Sequence, residues 1–256
     1  MLPEKANILC LLKILSEYSD ENNPMDMRKI IGKMQILYGM SPDRRTIISG
    51  IETLVRMGYE ISTYQENKVG YYLKTRDFEP GEIRILMDAV YSFPFIPEKQ
   101  SLDLIKKLKD KLSIYERKNL NYLNVIRDGR KTLNRQVFYI IEELNKAIEE
   151  GVKVKFAYLK YNIEKSLVSR REKRYTVSPY GMVYTNGNYY LVCSLAYQKN
   201  LSLYRIDRMR DIELTNYKTD KVKENILKDN LIKEASITIV KPSYAIIKVE
   251  ELKPIA

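Results

Sequence analysis

The chain of 256 residues contains no histidine. That absence removes imidazole general bases, histidine-containing triads and histidine-ligated metal sites in one step. It has two cysteines, Cys10 and Cys193, both in apolar surroundings. They read as buried free thiols of a reducing cytoplasm. The 10 glycines form neither a GxGxxG nor a GxxxxGK pattern, so no phosphate-cradling loop is expected. No run approaches the roughly 18 uncharged apolar residues that a membrane span requires. The N-terminus, MLPEKANILCLLKILSEY, lacks the basic start and small-residue cleavage site of a signal peptide. The paired carboxylates Glu142-Glu143 and Glu149-Glu150 fall on the polar face of a helical pattern. No acidic cluster carries metal-ligand spacing. No catalytic residue, metal or cofactor is expected.

What is present is a globular composition, 45 % hydrophobic and 30 % charged, with a net charge of +11. The excess is local. Residues 1–75 and 76–150 each carry net +1, whereas residues 151–216 hold 12 basic and 5 acidic side chains, net +7. Residues 217–256 add +2. Such a region is either a solvated basic face or a surface for polyanions and phosphates.

Helical spacing runs through the first part of the chain. Ile8, Leu11, Leu12, Leu15 and Tyr18 share one face of a first helix, and Met27, Ile30, Ile31, Met34 and Leu37 one face of a second. The stretch SPDRRTIISGIETLVRMG predicts a third, with Ser41 as N-cap, Pro42 at the first position and Gly58 as the stop. Ile47, Ile48, Ile51, Leu54 and Val55 form its apolar side. Arg45, Thr46, Ser49, Glu52, Thr53 and Arg56 form the other. YEISTY and GYYLKT read as two strands around the polar tip QENK. Three helices and a hairpin within residues 1–76 are the layout of a winged helix-turn-helix. A helix with one apolar face and one of Arg, Thr and Ser suits a major groove; the same face also fits a solvated surface. Residues 77–150 read as a helical linker and a place for dimer contacts.

From residue 152 the period changes to two. VKVKFAYLKY alternates, REKRYTVSPYGMVY carries a strand with a turn at Ser178-Pro179, and Asn186-Gly187 signals a hairpin before NYYLVCSLAY. NLSLYRIDRMRDIEL reads as one further strand. Four or five short antiparallel strands within 151–216 predict a small barrel. Residues 218–235 look helical, and 236–252 have strand and then helix character.

The stretch NYYLVCSLAYQKNLSLYRIDRM resembles the signature of the WYL-domain transcriptional regulators, with Tyr189-Tyr190-Leu191 in place of Trp-Tyr-Leu and Tyr204-Arg205-Ile206-Asp207-Arg208-Met209 after it. KFAYLKY, VSPYGMVY, SPDRRTIISGIETLVRMGYEI, GYYLKTRDFEPGEIRILMDAV and YSFPFI are similar to further parts of the same family in the same order. The resemblance covers about residues 5–215. It implies an α+β chain: a winged helix-turn-helix, a helical linker, a small Sm-like or SH3-like β-barrel that senses a ligand, and a short or truncated α/β segment at 217–256. It also implies a homodimer, a double-stranded DNA operator and an anionic effector such as a nucleotide or oligonucleotide. The sequence departs from the family in three places. Tyr189 replaces the tryptophan, Ile48-Ser49-Gly50 stands where many relatives have Tyr-Arg-Asp, and the last domain is represented by residues 217–256 alone.

Candidate DNA contacts are Arg44, Arg45, Thr46, Ser49 and Thr53 on the third helix and Lys68 at the hairpin tip. Candidate effector contacts are Tyr158, Tyr180, Tyr190, Arg205 and Arg208. Arginine suits the anion and tyrosine a stacked base. Strand parity puts Leu203, Arg205 and Asp207 on one face and Tyr204, Ile206 and Arg208 on the other. Arginines on both faces cannot all be core. One is expected to pair with Asp207 or Asp211; the alternatives for Arg205 are an anion site with Tyr190 and Tyr158, or an Arg–Asp pair joining two strands. A different function also fits the barrel: holding single-stranded nucleic acid as its main task.

Overall fold

The computed structural model describes residues 3, 6–120, 131–163, 167–195, 201–220, 236–237 and 247–248. The chain divides into two compact units. The first comprises Met1–Ser92 and Ser101–Arg127, the second Phe93–Gln100 and Asp128–Ala256. The 77–150 region read as a linker is thus shared between them.

In the first unit, α1 (Asn7–Tyr18), α2 (Met27–Tyr38) and α3 (Arg44–Arg56) surround a core of Leu11, Ile14, Leu15, Ile30, Met34, Ile47, Ile51 and Leu54. The apolar stripes are narrower than the spacing predicts, because Leu37 is 42 % and Val55 47 % exposed. The start of α3 also differs. Asp43, not Ser41, is the N-cap, and its Oδ1 accepts the Thr46 amide at 2.7 Å. An ionised carboxylate satisfies a free helical N–H and complements the positive helix end, so it outcompetes the serine hydroxyl. Gly50 lies where α1 approaches: a Cβ there would stand 3.0 Å from Leu11 Cδ2. The helix-weakening glycine therefore belongs to close α1–α3 packing.

The Asp43 contact makes α3 pH-sensitive. Its hydrogen bonds to Thr46 hold the Asp43 pKa below the usual carboxylate value. A depressed pKa contributes stability above the unfolded-state value of about 3.9 that is lost as pH falls through the folded value. Asp43→Asn, which keeps a capping oxygen, is expected to remove that acid-side component from the first unit's stability profile. Chemical denaturation of both proteins between neutral and acid pH checks this.

The ribbon that follows has two residues per strand. β1 (Ile61–Ser62) pairs antiparallel with β2 (Tyr72–Leu73), Ile61 opposite Leu73. Its tip is a helical turn, α4 (Tyr64–Asn67), closed by the Thr63/Glu66 capping box. The Asn67 side chain bonds Ser62 Oγ, the Gly70 carbonyl and the amides of Val69 and Gly70. These local bonds replace the longer strands expected on either side of QENK. α5 (Pro80–Ser92), α6 (Glu98–Lys109) and α7 (Ile114–Asn119) follow, and Ile83, Met87, Ile105 and Leu112 form a second small core.

The second unit is a curved sheet under one helix. α8 (Val137–Glu150) ends at Gly151, whose φ of 62° suits glycine. β3 (Val152–Tyr161), β4 (Leu167–Ser169), β5 (Tyr175–Thr185), β6 (Asn188–Leu195), β7 (Ser202–Arg205) and β8 (Met209–Lys218) follow. The order is β4-β3-β5-β6-β7, and β8 returns to pair with β3. Val154, Phe156, Val177, Leu191 and Cys193 pack beneath Val137, Ile140, Leu144 and Ala147 of α8. The turn at Asn186-Gly187 has φ of 48° and 74°, as a two-residue hairpin loop requires.

Three expectations are corrected here. Ser178-Pro179 is not a turn: β5 continues through it, and a bulge between Pro179 and Gly181 leaves Tyr180 as the extra residue. The segment 200–214 is not one strand, because a single 3-10 turn at Ile206–Arg208 separates β7 from β8. The barrel is not closed by strand pairing among the described residues, since the ladder runs from β7 to β4 and β8 with no β7–β8 pair. A further pair, β9 (Ser236–Ile237) with β10 (Ile247–Lys248), is antiparallel. Of the helix expected over 218–235, Lys218 ends β8 and residues 219–220 are not helical; the rest lies outside the described residues.

Candidate functional site

The first candidate site is the outer face of α3. Burial of Ile47, Ile51 and Leu54 fixes the helix rotation, and Arg44, Arg45, Thr46 and Ser49 come out exposed. Arg44, Arg45 and Thr46 form the first turn, but the Asp43 carboxylate already takes the Thr46 amide, so contact with phosphate there falls to the two arginine side chains. Thr53 is half-buried, and its hydroxyl donates to the Ser49 carbonyl at 2.7 Å, so that group is used within its own helix. Thr46, Ser49 and Thr53 also line a shallow pocket against Asn7 and Leu11 of α1. Lys68 is exposed at the ribbon tip in a left-handed conformation, φ 57°.

The second candidate site lies where β7 turns into β8. Tyr158 comes from the core-facing row of β3 and is 7 % exposed. Its ring meets Tyr204 edge-on at 5.0 Å, Tyr175 at 6.0 Å and Phe156 at 6.4 Å. The aromatic faces are thus taken up by the core, and the hydroxyl is what Tyr158 offers to the turn: it accepts the Arg205 amide at 3.2 Å. Burial raises the Tyr158 pKa and pushes Tyr204 up to about 12, so both remain phenols at neutral pH.

The 3-10 turn decides the roles of the arginines. It brings Asp207 back onto Arg205, with Nε to Oδ1 at 3.0 Å and Nη2 to Oδ2 at 2.8 Å. Nη2 also donates to Asn188 Oδ1 at 2.7 Å. Asp207 is 5 % exposed. Burial alone would lower the Arg205 pKa, but the hydrogen-bonded charge of Asp207 outweighs it and raises the value. Of the two arrangements open from the sequence, Arg205 is in an Arg–Asp pair, but within its own turn and not across two strands; parity holds through Arg205 and fails beyond it, where the chain turns. Arg208 differs: its Nε is buried and has no hydrogen-bond partner among the described residues. Arg205, Asp207 and Arg208 all bear electrostatically on the Tyr158 hydroxyl, so the three charges converge there.

Tyr190 is half-buried and directly opposite Arg205 on the neighbouring strand. Tyr180 is separate. Its hydroxyl bonds Ser194 Oγ at 2.7 Å and the Asp220 carbonyl at 3.0 Å, beside a Lys153–Asp220 ion pair. The structure brings together Tyr158, Tyr190, Arg205 and Arg208 and leaves Tyr180 in a different network. Beyond the turn, Arg171 stacks 3.4 Å over the Tyr175 ring, and Arg174 pairs with Glu213.

Sequence reasoning missed the residues that hold the turn. Asn134 Nδ2 donates to the carbonyls of Asp207 at 2.9 Å and Met209 at 2.6 Å. Gln136 Oε1 accepts the Asp211 amide at 3.0 Å. Both lie in KTLNRQ, a stretch with no periodicity to mark it, and Asn188 is hidden as an ordinary hairpin residue.

No curated protein matches the chain. Among solved structures it is similar to Proteasome accessory factor B/C (PafBC) of Arthrobacter aurescens, at 11 % identity and a TM-score of 0.27. That match covers 85 % of this chain and 34 % of the other, so this chain spans about a third of that protein's length. The model of the WYL domain matches residues 139–214, from α8 to β8, and so encloses the whole Tyr158–Arg205–Arg208 arrangement. The chain contains a WYL domain.

Proposed function

We propose that this chain is a DNA-binding transcriptional regulator whose WYL domain binds an anionic effector that alters operator binding. The first 76 residues act as a winged helix-turn-helix, with α3 in the major groove and Lys68 against the backbone. The sheet unit is the effector-sensing module, and the working form is a cytoplasmic homodimer that binds and does not catalyse. The observation that carries the reading is the exposed polar face of α3, Arg44-Arg45-Thr46 and Ser49, in one chain with a WYL domain.

The buried, unpartnered Nε of Arg208 supports the effector half. A buried guanidinium N–H without an acceptor carries a desolvation cost, and a phosphate oxygen removes it. Arg205 contributes through its pair with Asp207, which leaves Arg208 as the primary contact. Tyr190, half-buried beside them, is the surface for a base.

Arg45→Ala is expected to weaken duplex binding by about 1–3 kcal/mol if the side chain reads a base. If it meets phosphate, the salt slope falls by about one charge. Lys68→Ala is expected to show the salt effect alone. Electrophoretic titration of the upstream region of its own gene at several salt concentrations measures both. Unchanged affinity and slope for both variants would remove this face from the interface. Retained binding of an oligothymidylate with no duplex binding at physiological salt would favour a single-strand-binding module instead.

A further inference from the structure

Residues 93–100 interrupt the N-terminal unit in sequence yet belong to the sheet unit. Phe95 is 1 % and Ile96 8 % exposed. Phe93 meets Tyr184 at 5.6 Å and Tyr189 at 6.4 Å, and Phe95 meets Tyr189 at 5.1 Å. Tyr184 and Tyr189 also meet each other at 5.1 Å. Pro94 lies against the hairpin turn, where a Cβ on Gly187 would stand 3.3 Å from its Cγ. Tyr189, the residue in the tryptophan position of the WYL signature, packs its ring against this segment.

Hydrogen bonds continue from the segment to the candidate effector site. Lys131 Nζ donates to the carbonyls of Phe93 and Ile96, each at 3.1 Å. Burial lowers the Lys131 pKa. The Thr132 amide donates to the Pro94 carbonyl at 2.9 Å, and Gln100 Nε2 to the Arg135 carbonyl at 2.9 Å. Two residues after Thr132, Asn134 holds the carbonyls of Asp207 and Met209. Asp207 in turn grips Arg205. The pinned residues thus link Arg205 to Phe93, the residue after the end of α5, and to Gln100, inside α6.

We propose that the Phe93–Ile96 segment is the output element of the WYL domain: an aromatic clasp whose seating on the β5–β6 hairpin depends on whether an anion occupies the Arg205–Arg208 turn. This rests on the effector reading above. An anion that recruits Arg208 beside the Arg205–Asp207 pair shifts the 206–208 turn. The two carbonyls held by Asn134 move with it, and so does the 131–135 strip that fastens Phe93 and Pro94. Because α5 ends at Ser92 and α6 runs through Gln100, the clasp passes the change along the chain to both helices. A contiguous network permits coupling; a measured change at both ends establishes it.

The chain has no tryptophan, so Phe93→Trp supplies a single intrinsic reporter. An oligothymidylate is titrated against the full-length variant while anisotropy of a labelled copy follows binding. The emission change is expected to share its midpoint with the anisotropy. Adding Lys131→Met is expected to keep oligothymidylate affinity within about threefold while abolishing the effect of the oligonucleotide on duplex affinity. Tyr184→Ala gives the same comparison should Lys131→Met fail to fold. Adenosine monophosphate in place of the oligothymidylate distinguishes a free nucleotide from a strand. Binding with a silent reporter and unaltered coupling in the variants overturns the clasp alone. No binding of either ligand overturns the clasp together with the effector reading.

Discussion

Arg205→Ala is expected to destabilise the sheet unit by about 2–3 kcal/mol, below the loss typical of a fully buried pair because the Arg205 side chain is 28 % exposed. The cause is Asp207, which is 5 % exposed and receives two guanidinium bonds from Arg205. Without the arginine, a buried carboxylate keeps its desolvation cost and loses its counter-charge, while Asn188 Oδ1 loses a donor. The double variant Arg205→Met/Asp207→Leu is expected to recover much of the loss, because both charges then leave the interior together. Arg208→Met is expected to behave in the opposite way. Its buried Nε has no partner among the described residues, so its removal leaves stability within about 1 kcal/mol of the parent and abolishes oligonucleotide binding. Urea denaturation and anisotropy on the same three proteins check the set. A stable Arg205→Ala protein would show that Asp207 finds another partner or water.

Arg76→Ala is expected to have the largest effect on the N-terminal unit, again about 3 kcal/mol or more. The Arg76 side chain is 7 % exposed. Its Nη1 and Nη2 donate to the carbonyls of Ser16 and Ser19 at 2.6 Å each, and Nε lies 3.5 Å from Glu116. It therefore closes the C-terminal end of α1, where helix carbonyls lack intrahelical donors, and ties that end to α7. Arg76→Lys keeps the charge but not the fork, and is expected to recover only part of the loss. Thermal unfolding followed by circular dichroism ranks the three proteins. Equal midpoints would mean that the α1 carbonyls are satisfied by solvent.

Much of the architecture was legible from period and punctuation. The helices α1 to α3 followed from their apolar spacing, the end of α8 from Gly151, and the hairpin from Asn186-Gly187. The boundaries that failed did so for local reasons. Asp43 displaced Ser41 as cap because a carboxylate is the better acceptor at a helix start. Ser178-Pro179 looked like a turn, but a bulge at Tyr180 absorbs it within β5. The arginines show the limit most clearly. Parity along 203–208 presumes an unbroken strand; it puts Arg205 with Asp207, which are paired, but fails beyond Ile206, where a three-residue turn buries Ile206 and Asp207 alike. Asn134 and Lys131 could not be found at all, since their roles are hydrogen bonds to carbonyls distant in sequence. The WYL signature pointed to the stretch that holds the candidate site; the contacts among its residues came from the turn.

The most direct test of the account is duplex affinity measured with and without a saturating single-stranded oligonucleotide, for the parent chain and for Arg208→Met. The parent is expected to show a coupling of about fivefold or more, of either sign, between the two ligands. Arg208→Met is expected to bind the duplex as the parent does and to show no coupling. Parent and variant responding equally to the oligonucleotide, or neither binding the duplex, would contradict it.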